Sequence, residues 1–428
     1  MSTPSSGPAG GGVVTPAAPG PIRRIMPLLG SMQGYIGLVL VIIIGIVTQG
    51  SKFADATNFT NAVGVFAPRG ILAVGMTLVI IAGGIDLSVG SLLAVGATTS
   101  AILLRDHSMS PWAIVPICML VCAVFGFVNG AGTALLRIQS FVMTLAMMTI
   151  ARGIVRLASG SVSIGTIAIN ADGNATRASQ VFSDLGTPGT NVLGGAKVIG
   201  YFPVLALVVV VIIFQLILSK TKFGRHVYAV GGNPTAARLS GVKVVGVTIA
   251  VFTVGGMLAG IAGPINAAYN ASADPQTGLG YELDAIAAVV IGGASLAGGR
   301  GSVIGTFVGS LILTLLDNVL GLNSVSDNWQ MIIKGVIVVL AVVIQRPELF
   351  SDLASWIKRT FRRQPAMVGA VGPDGAGLSA SAPDLVGSNL VGSNPVGSNQ
   401  VGTNAAAADP TTADGGDENP PHPEGGRA

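Results

Sequence analysis

Charge is what this sequence has least of. Only 10% of its 428 residues are Asp, Glu, Lys or Arg, against about a quarter in an ordinary soluble domain. That shortfall excludes a water-soluble enzyme of this length, and a mean hydropathy of +0.71 agrees. It also excludes a nucleic-acid partner, which needs Lys and Arg clustered on a soluble face. Aromatic residues make up 5%, and there are two cysteines, Cys118 and Cys122. Four apart on one apolar stretch, these thiols read as helix packing rather than redox or metal chemistry. His107, His226 and His422 are scattered without ligand spacing, so no metal and no other cofactor is expected. No G-x-x-x-x-G-K-[ST] cradle, G-x-S-x-G elbow or H-E-x-x-H helix occurs. The chain is not expected to hydrolyse ATP itself or to be an enzyme.

Long apolar runs are what is there. They recur from Gly34 to Arg346-Pro347, most near the roughly 20 residues that cross a bilayer as a helix. Ten are predicted, at about 32–48, 63–82, 87–104, 113–136, 141–158, 201–219, 244–265, 283–299, 302–321 and 329–345. This predicts an all-α, polytopic membrane protein. Arg23, Arg24, Arg137, Lys220, Lys222, Arg225, Arg238, Lys243, Arg300, Arg346 and the Lys358–Arg363 cluster fall on one set of loops and flanks. The positive-inside rule puts that side, and both termini, in the cytoplasm. Residues 1–31, rich in Pro, Gly, Ser and Ala, read as a disordered cytoplasmic tail without a cleavable signal. The transmembrane domain follows over 32–346, then a basic juxtamembrane segment over 347–363. Residues 364–428, with VGSN repeated at Val386, Val391 and Val396, read as a disordered low-complexity tail.

One polar loop stands apart, FGRHVYAVGGNPTAARLSGVKV over Phe223–Val244. Asn233 is placed to cap a short helix, Pro234 suits its first position, and Gly241 suits its left-handed close. The plain alternative is a solvated turn between two membrane helices.

Two glycine-broken segments interrupt the apolar text, IIAGGIDLSVGSLLAVG over Ile80–Gly96 and VIGGASLAGGRGSVIG over Val290–Gly305. Glycines weaken helix interiors, and irregular backbone in a membrane is tolerated where protein buries it or where it lines water. Matched interruptions point to a transport pathway, and tight helix crossing through small residues is the alternative. Aligning Gly83-Gly84 with Gly292-Gly293 brings Gly90 onto Gly299 and Gly96 onto Gly305. Asp86 either lines such a path or caps the helix that begins near Ser88. The candidate path residues are Asp86, Ser88, Asn129, Ser295 and Asn318. Asp317 and Lys334 read as a buried structural ion pair. Arg152 and Arg156 are expected to snorkel at an outer helix end, and Glu282 and Asp284 to mark an outer helix entrance.

GGIDLSVGS, VNG at Val128–Gly130, FVMTLAMMTIARG, TKFGRHVYAVGGNPTAARLSG, VVIGGASLAGGRGSVIGTFVGSLI and DNWQMIIKGVIVVLAVV occur in that order. Together they resemble the permease subunits of bacterial sugar ABC importers, ribose/xylose-type branch, over about residues 32–346. The resemblance implies a vitamin B12 importer-like (type II) fold in the bacterial inner membrane. It implies a second permease copy, a cytoplasmic ABC ATPase, and an extracytoplasmic substrate-binding protein that delivers a pentose, hexose or polyol. It makes Phe223, Gly224, Arg225, Gly232, Asn233, Pro234, Thr235, Ala236, Ala237, Arg238 and Gly241 the ATPase-coupling loop. Thr235 stands where the family's loop carries Glu, and Gln139-Ser140 stand where relatives often carry Pro. The segment Ser159–Gly200 would help dock the binding protein, or is a plain disordered loop. An ion-gradient-driven carrier or channel, with Asp86 as coupling carboxylate, is the rival reading.

Overall fold

The computed structural model describes residues 21–344 except 108, 171 and 187–201; over 21–33 only the helical backbone is described. Thirteen helices follow in order: α1 (Pro21–Gln49), α2 (Ala56–Ile81), α3 (Val89–His107), α4 (Pro111–Ala134), α5 (Ser140–Ser159), α6 (Arg177–Gly186) and α7 (Phe202–Lys220), then α8 (Lys222–Gly232), α9 (Pro234–Leu239), α10 (Val244–Tyr269), α11 (Tyr281–Ile291), α12 (Val303–Leu322) and α13 (Asp327–Ile344). Two short strands, β1 (Ile164–Gly165) and β2 (Ser272–Ala273), pair antiparallel. The tail expected through residue 31 gives way to helix at Pro21. Residues 1–20, the basic segment 347–363 and the tail 364–428 lie outside the described residues.

Among the described residues, seven helices are long and apolar enough to cross a membrane: α2, α3, α4, α5, α7, α10 and α12. The span expected at 283–299 is corrected. Its helix stops at Ile291, and residues 292–302 run on as non-helical chain. The reason is local: Gly293 takes φ +87° and its amide turns back to the Val290 carbonyl, which closes the helix. The second span begins earlier than expected, at Ala56, because Asp55 caps it by accepting from the Thr57 and Asn58 amides. Those bonds, the Thr57 amide first, hold the exposed Asp55 carboxyl below its usual range.

α2 runs through the centre, buried from Phe66 to Ile81 but for Arg69, and packs against α10, α12, α7 and α11. α10 lies on α4 at backbone distance, since a Cβ at Gly256 or Gly260 would overlap the Cys122 or Cys118 carbonyl. Small residues allow this close crossing where no hydrophobic effect drives helices together. The buried thiols bond the α3 carbonyls of Gly96 and Leu92, at 3.4 and 3.3 Å.

The connections sort to two ends. At one end lie α2–α3, α4–α5, α8–α9 and α11–α12, tied by Ile85 to Ser140 and Gly299 to Ile81. At the other, β1 pairs with β2, and Arg152 donates to the Pro275 and Thr277 carbonyls at 2.8 and 2.7 Å. Arg152 therefore clamps a turn instead of snorkelling. Two convergent, part-shielded carbonyls satisfy a guanidinium that burial would otherwise penalise.

Candidate functional site

The polar loop folds as two short helices. Thr221 caps α8 through the Gly224 amide at 3.2 Å, and its apolar side buries Gly224, Val227 and Val230 against the helix ends. Arg225 and His226 face outward. The Asn233 side chain accepts the Ala236 amide at 3.0 Å and starts α9, with Pro234 at its first position. Gly241, at φ +83°, ends it. Only Ala237 of α9 is buried; Thr235, Ala236 and Arg238 are exposed, and Leu239 is 85% exposed. α9 is thus a rigidly capped prong with a basic and apolar tip. Asn233→Ala is expected to weaken α9 by ~1 kcal/mol, read as faster amide exchange at Ala236 with the remaining chain unchanged.

The base of this prong rests on both glycine breaks. Gly231 lies so close to the Ile81 carbonyl that any Cβ would overlap it, and Gly298 packs against Gly231 and Gly83. The Gly299 amide donates to Ile81 O at 2.8 Å, and Tyr228 Oη donates to Gly301 O at 2.8 Å. Thus Phe223–Gly241 and the breaks at Gly83–Ser88 and Gly292–Gly301 form one structural unit.

Of the five residues expected on a path, three meet. Asp86 accepts from the Ser88 amide at 2.8 Å and its hydroxyl at 2.6 Å, and Asn129 donates to Ser88 Oγ at 2.9 Å. All three are 0% exposed. The Asp86 carboxylate therefore caps the approach to α3, and Asn129 fastens it to α4. Ile85 and Leu87 donate to Ser140 and Thr144 of α5, which completes the fastening. Ser295 lies elsewhere, half-buried in the α11–α12 break with its hydroxyl accepting the Ala297 amide. Asn318 is also apart, exchanging amide bonds with Asn58 of α2 at 3.1 and 2.7 Å.

Lys334 lies 3.4 Å from Asp317, within a larger set. Arg69 of α2 donates to Asp317 at 2.6 Å, and Lys334 also reaches Asp284 at 3.3 Å. The Arg69 guanidinium sits 4.7 Å over the Tyr281 ring. Asp284 thus stands with Glu282 in the first turn of α11, at the helix entrance expected, and also faces Lys334 of α13. Sequence reading missed Arg69, Tyr228, Ile81 and Leu239; only the position of Leu239 beside Arg238 at a helix end offered a signal.

The site is thus a protruding capped helix on a protein with seven apolar helices long enough to cross a membrane among its described residues. Residues 58–342 match the family described as "Branched-chain amino acid transport system / permease component". The chain belongs to this permease family. The permease is 39% identical over 326 residues to the ribose import permease protein RbsC of Escherichia coli (strain K12), covering 75% of this chain and 96% of that one. It is 37% identical over 324 residues to RbsC of Bacillus subtilis (strain 168), covering 75% and 94%. It is 34% identical over 374 aligned residues to the xylose transport system permease protein XylH of Haemophilus influenzae, covering 73% and 96%. No solved structure matches it. The permease is a multi-pass membrane subunit of a transporter and not an enzyme.

Proposed function

We propose that this permease moves a monosaccharide through the bacterial inner membrane as the translocating subunit of an ATP-driven importer. The relatives' names supply the substrate class, ribose and xylose. The observation that carries the reading is the capped helix α9 standing free on a base joined to both glycine breaks. A self-sufficient carrier has no use for such a prong, whereas a permease driven by a separate ATPase needs one to receive its motion. α1, α11 with its non-helical continuation, and α13 join the seven long helices to make ten crossings of a vitamin B12 importer-like (type II) fold. An even number places both termini on one side, and the basic loops place that side in the cytoplasm.

Two copies, alike or paired with a sibling, form the path between them, and ATP binding closes the ATPase halves beneath. The α9 helices then move together and switch the opening of the path. At the far end, the turn Asn270–Thr277 and the nearby Arg156, Ser161 and Ser163 line two adjoining open depressions of about 630 and 370 Å3. β1–β2 pairing and the Arg152 clamp stiffen them, which suits docking of a substrate-binding protein. The glycine-rich residues 187–200 of the outer segment lie outside the described residues. Asp86, Ser88 and Asn129 hold the α2–α3 break in place beside the path, with Ser295 and Asn318 at its two ends.

The test is purification of the tagged chain from its host in mild detergent. A stoichiometric P-loop ATPase in the eluate, lost on deleting Asn233–Gly241, is the expected result. A chain that purifies alone and transports sugar in liposomes without ATP overturns the reading in favour of a gradient-driven carrier.

A further inference from the structure

The two glycine breaks are held very differently. The α2–α3 break is fastened on several sides, by Asp86 and Asn129 around Ser88 and by Ser140 and Thr144 on the Ile85 and Leu87 amides. The α11–α12 break, residues 292–302, exposes Gly293, Leu296, Ala297 and Arg300. Its internal bonds run from Ser295 to Arg300 and from Gly298 to Ser295. Beyond its bonds to the flanking helices α11 and α12, it is joined to other elements through Gly299 N to Ile81 O and Tyr228 Oη to Gly301 O.

Both of those bonds satisfy carbonyls that have no helical donor. Ile81 is the last residue of α2, and the amide four residues on, that of Ile85, is taken by Ser140. Gly299 fills the vacancy. Gly301 O lies in non-helical chain and depends on the Tyr228 phenol. A carbonyl shielded from solvent that loses its donor pays a desolvation cost, so neither contact is released freely. Gly231, against the Ile81 carbonyl, and Gly298, against Gly231 and Gly83, leave no flexible side chain between α8 and the break.

The geometry points to Tyr228 as a positioning residue that ties α8 to the α11–α12 break, making this break the part that moves when the ATPase displaces α9. The inference rests on the importer reading above. α8 carries the break by its phenol and by the Gly231–Gly298 contact, and the two turn about the retained Gly299–Ile81 bond as a hinge, while the α2–α3 break stays with α4 and α5 as the fixed side.

The test reconstitutes the permease with its ATPase and binding protein in liposomes. Sugar taken up per ATP hydrolysed is measured with whichever of ribose, xylose and galactose the wild-type complex imports. Tyr228→Phe is expected to keep the assembled complex and its ATP turnover while uptake per ATP falls about tenfold, the scale of one part-buried carbonyl left without its donor. Tyr269→Phe, a phenol lost at the opposite end, leaves the ratio unchanged. An unchanged ratio in Tyr228→Phe overturns the relay. Spin labels at His226 and Leu296 add a second readout, since Cys118 and Cys122 are buried from thiol reagents. Their separation is expected to stay constant between ATP-free and ATP-bound wild type and to spread in Tyr228→Phe; spreading in both overturns the relay as well. A wild-type chain that imports without any ATPase instead overturns the reading on which the relay stands, and the two failures are therefore distinct.

Discussion

Arg69→Ala is expected to destabilise the permease by ~3–5 kcal/mol, the usual loss when one partner of a buried ion pair is removed. Arg69 and Lys334 face Asp317 and Asp284, four charges on α2, α11, α12 and α13 that sum to zero. Their side chains are all no more than 20% exposed. Removing Arg69 leaves two carboxylates on a single ammonium and takes the guanidinium off the Tyr281 ring. Asp317→Ala leaves the opposite excess, two cations on Asp284. The double variant restores neutrality through Lys334 and Asp284, so its loss is expected to fall well short of the sum of the two single losses. Arg69→Lys keeps the charge but loses the planar stack, and should lie between wild type and Arg69→Ala. Thermal unfolding in detergent reads all four variants. Additive losses would show that Arg69 and Asp317 act separately, contrary to their 2.6 Å contact.

The set shows what sequence can and cannot supply. Asp317 and Lys334 lie within one hairpin, so their approach follows from helix register alone. Arg69 lies 248 residues from Asp317, and nothing local distinguishes it from a cation at a helix end. The same holds for Asn318, which meets Asn58 across 260 residues. Local rules reached further where their range is a turn of helix. Asn233, Pro234 and Gly241 act within a few residues of themselves, so α9 was readable to within one residue of its end.

The glycine breaks were also readable, but their register was not. Gly83 and Gly84 bond back to Ile80 and Val79; Gly293 and Ala294 bond back to Val290 and Val289. Helix closure therefore equates Gly83 with Gly293, one residue away from the alignment of glycine pairs. Identical letters in a glycine-rich stretch do not say which glycine takes the left-handed turn. Hydrogen bonding decides that. Span 283–299 failed for the same reason, because apolar content continues past Ile291 while the backbone turns at Gly293.

Leu239→Asp, alone or with Arg238→Glu, is expected to weaken ATPase capture at least about 100-fold and to take ATP-driven uptake to background. Leu239 is 85% exposed at the end of α9, so its replacement disturbs no packing within the permease. In the complex proposed above the docked ATPase would cover the same side chain. Burying a leucine contributes roughly 1.5–3 kcal/mol, and forcing an unpaired carboxylate into its place adds a desolvation cost of several more. Either contribution exceeds the 1.4 kcal/mol or so that separates one decade of affinity from the next. Thermal stability should be unchanged, which separates a docking defect from a folding one. Leu279, 69% exposed in the turn at the opposite end, supplies the matched control: Leu279→Asp should leave ATPase capture intact. Equal capture by Leu239→Asp and wild type would remove α9 from the ATPase interface. The capped loop would then be a solvated turn, despite the cap at Asn233 that holds it in shape.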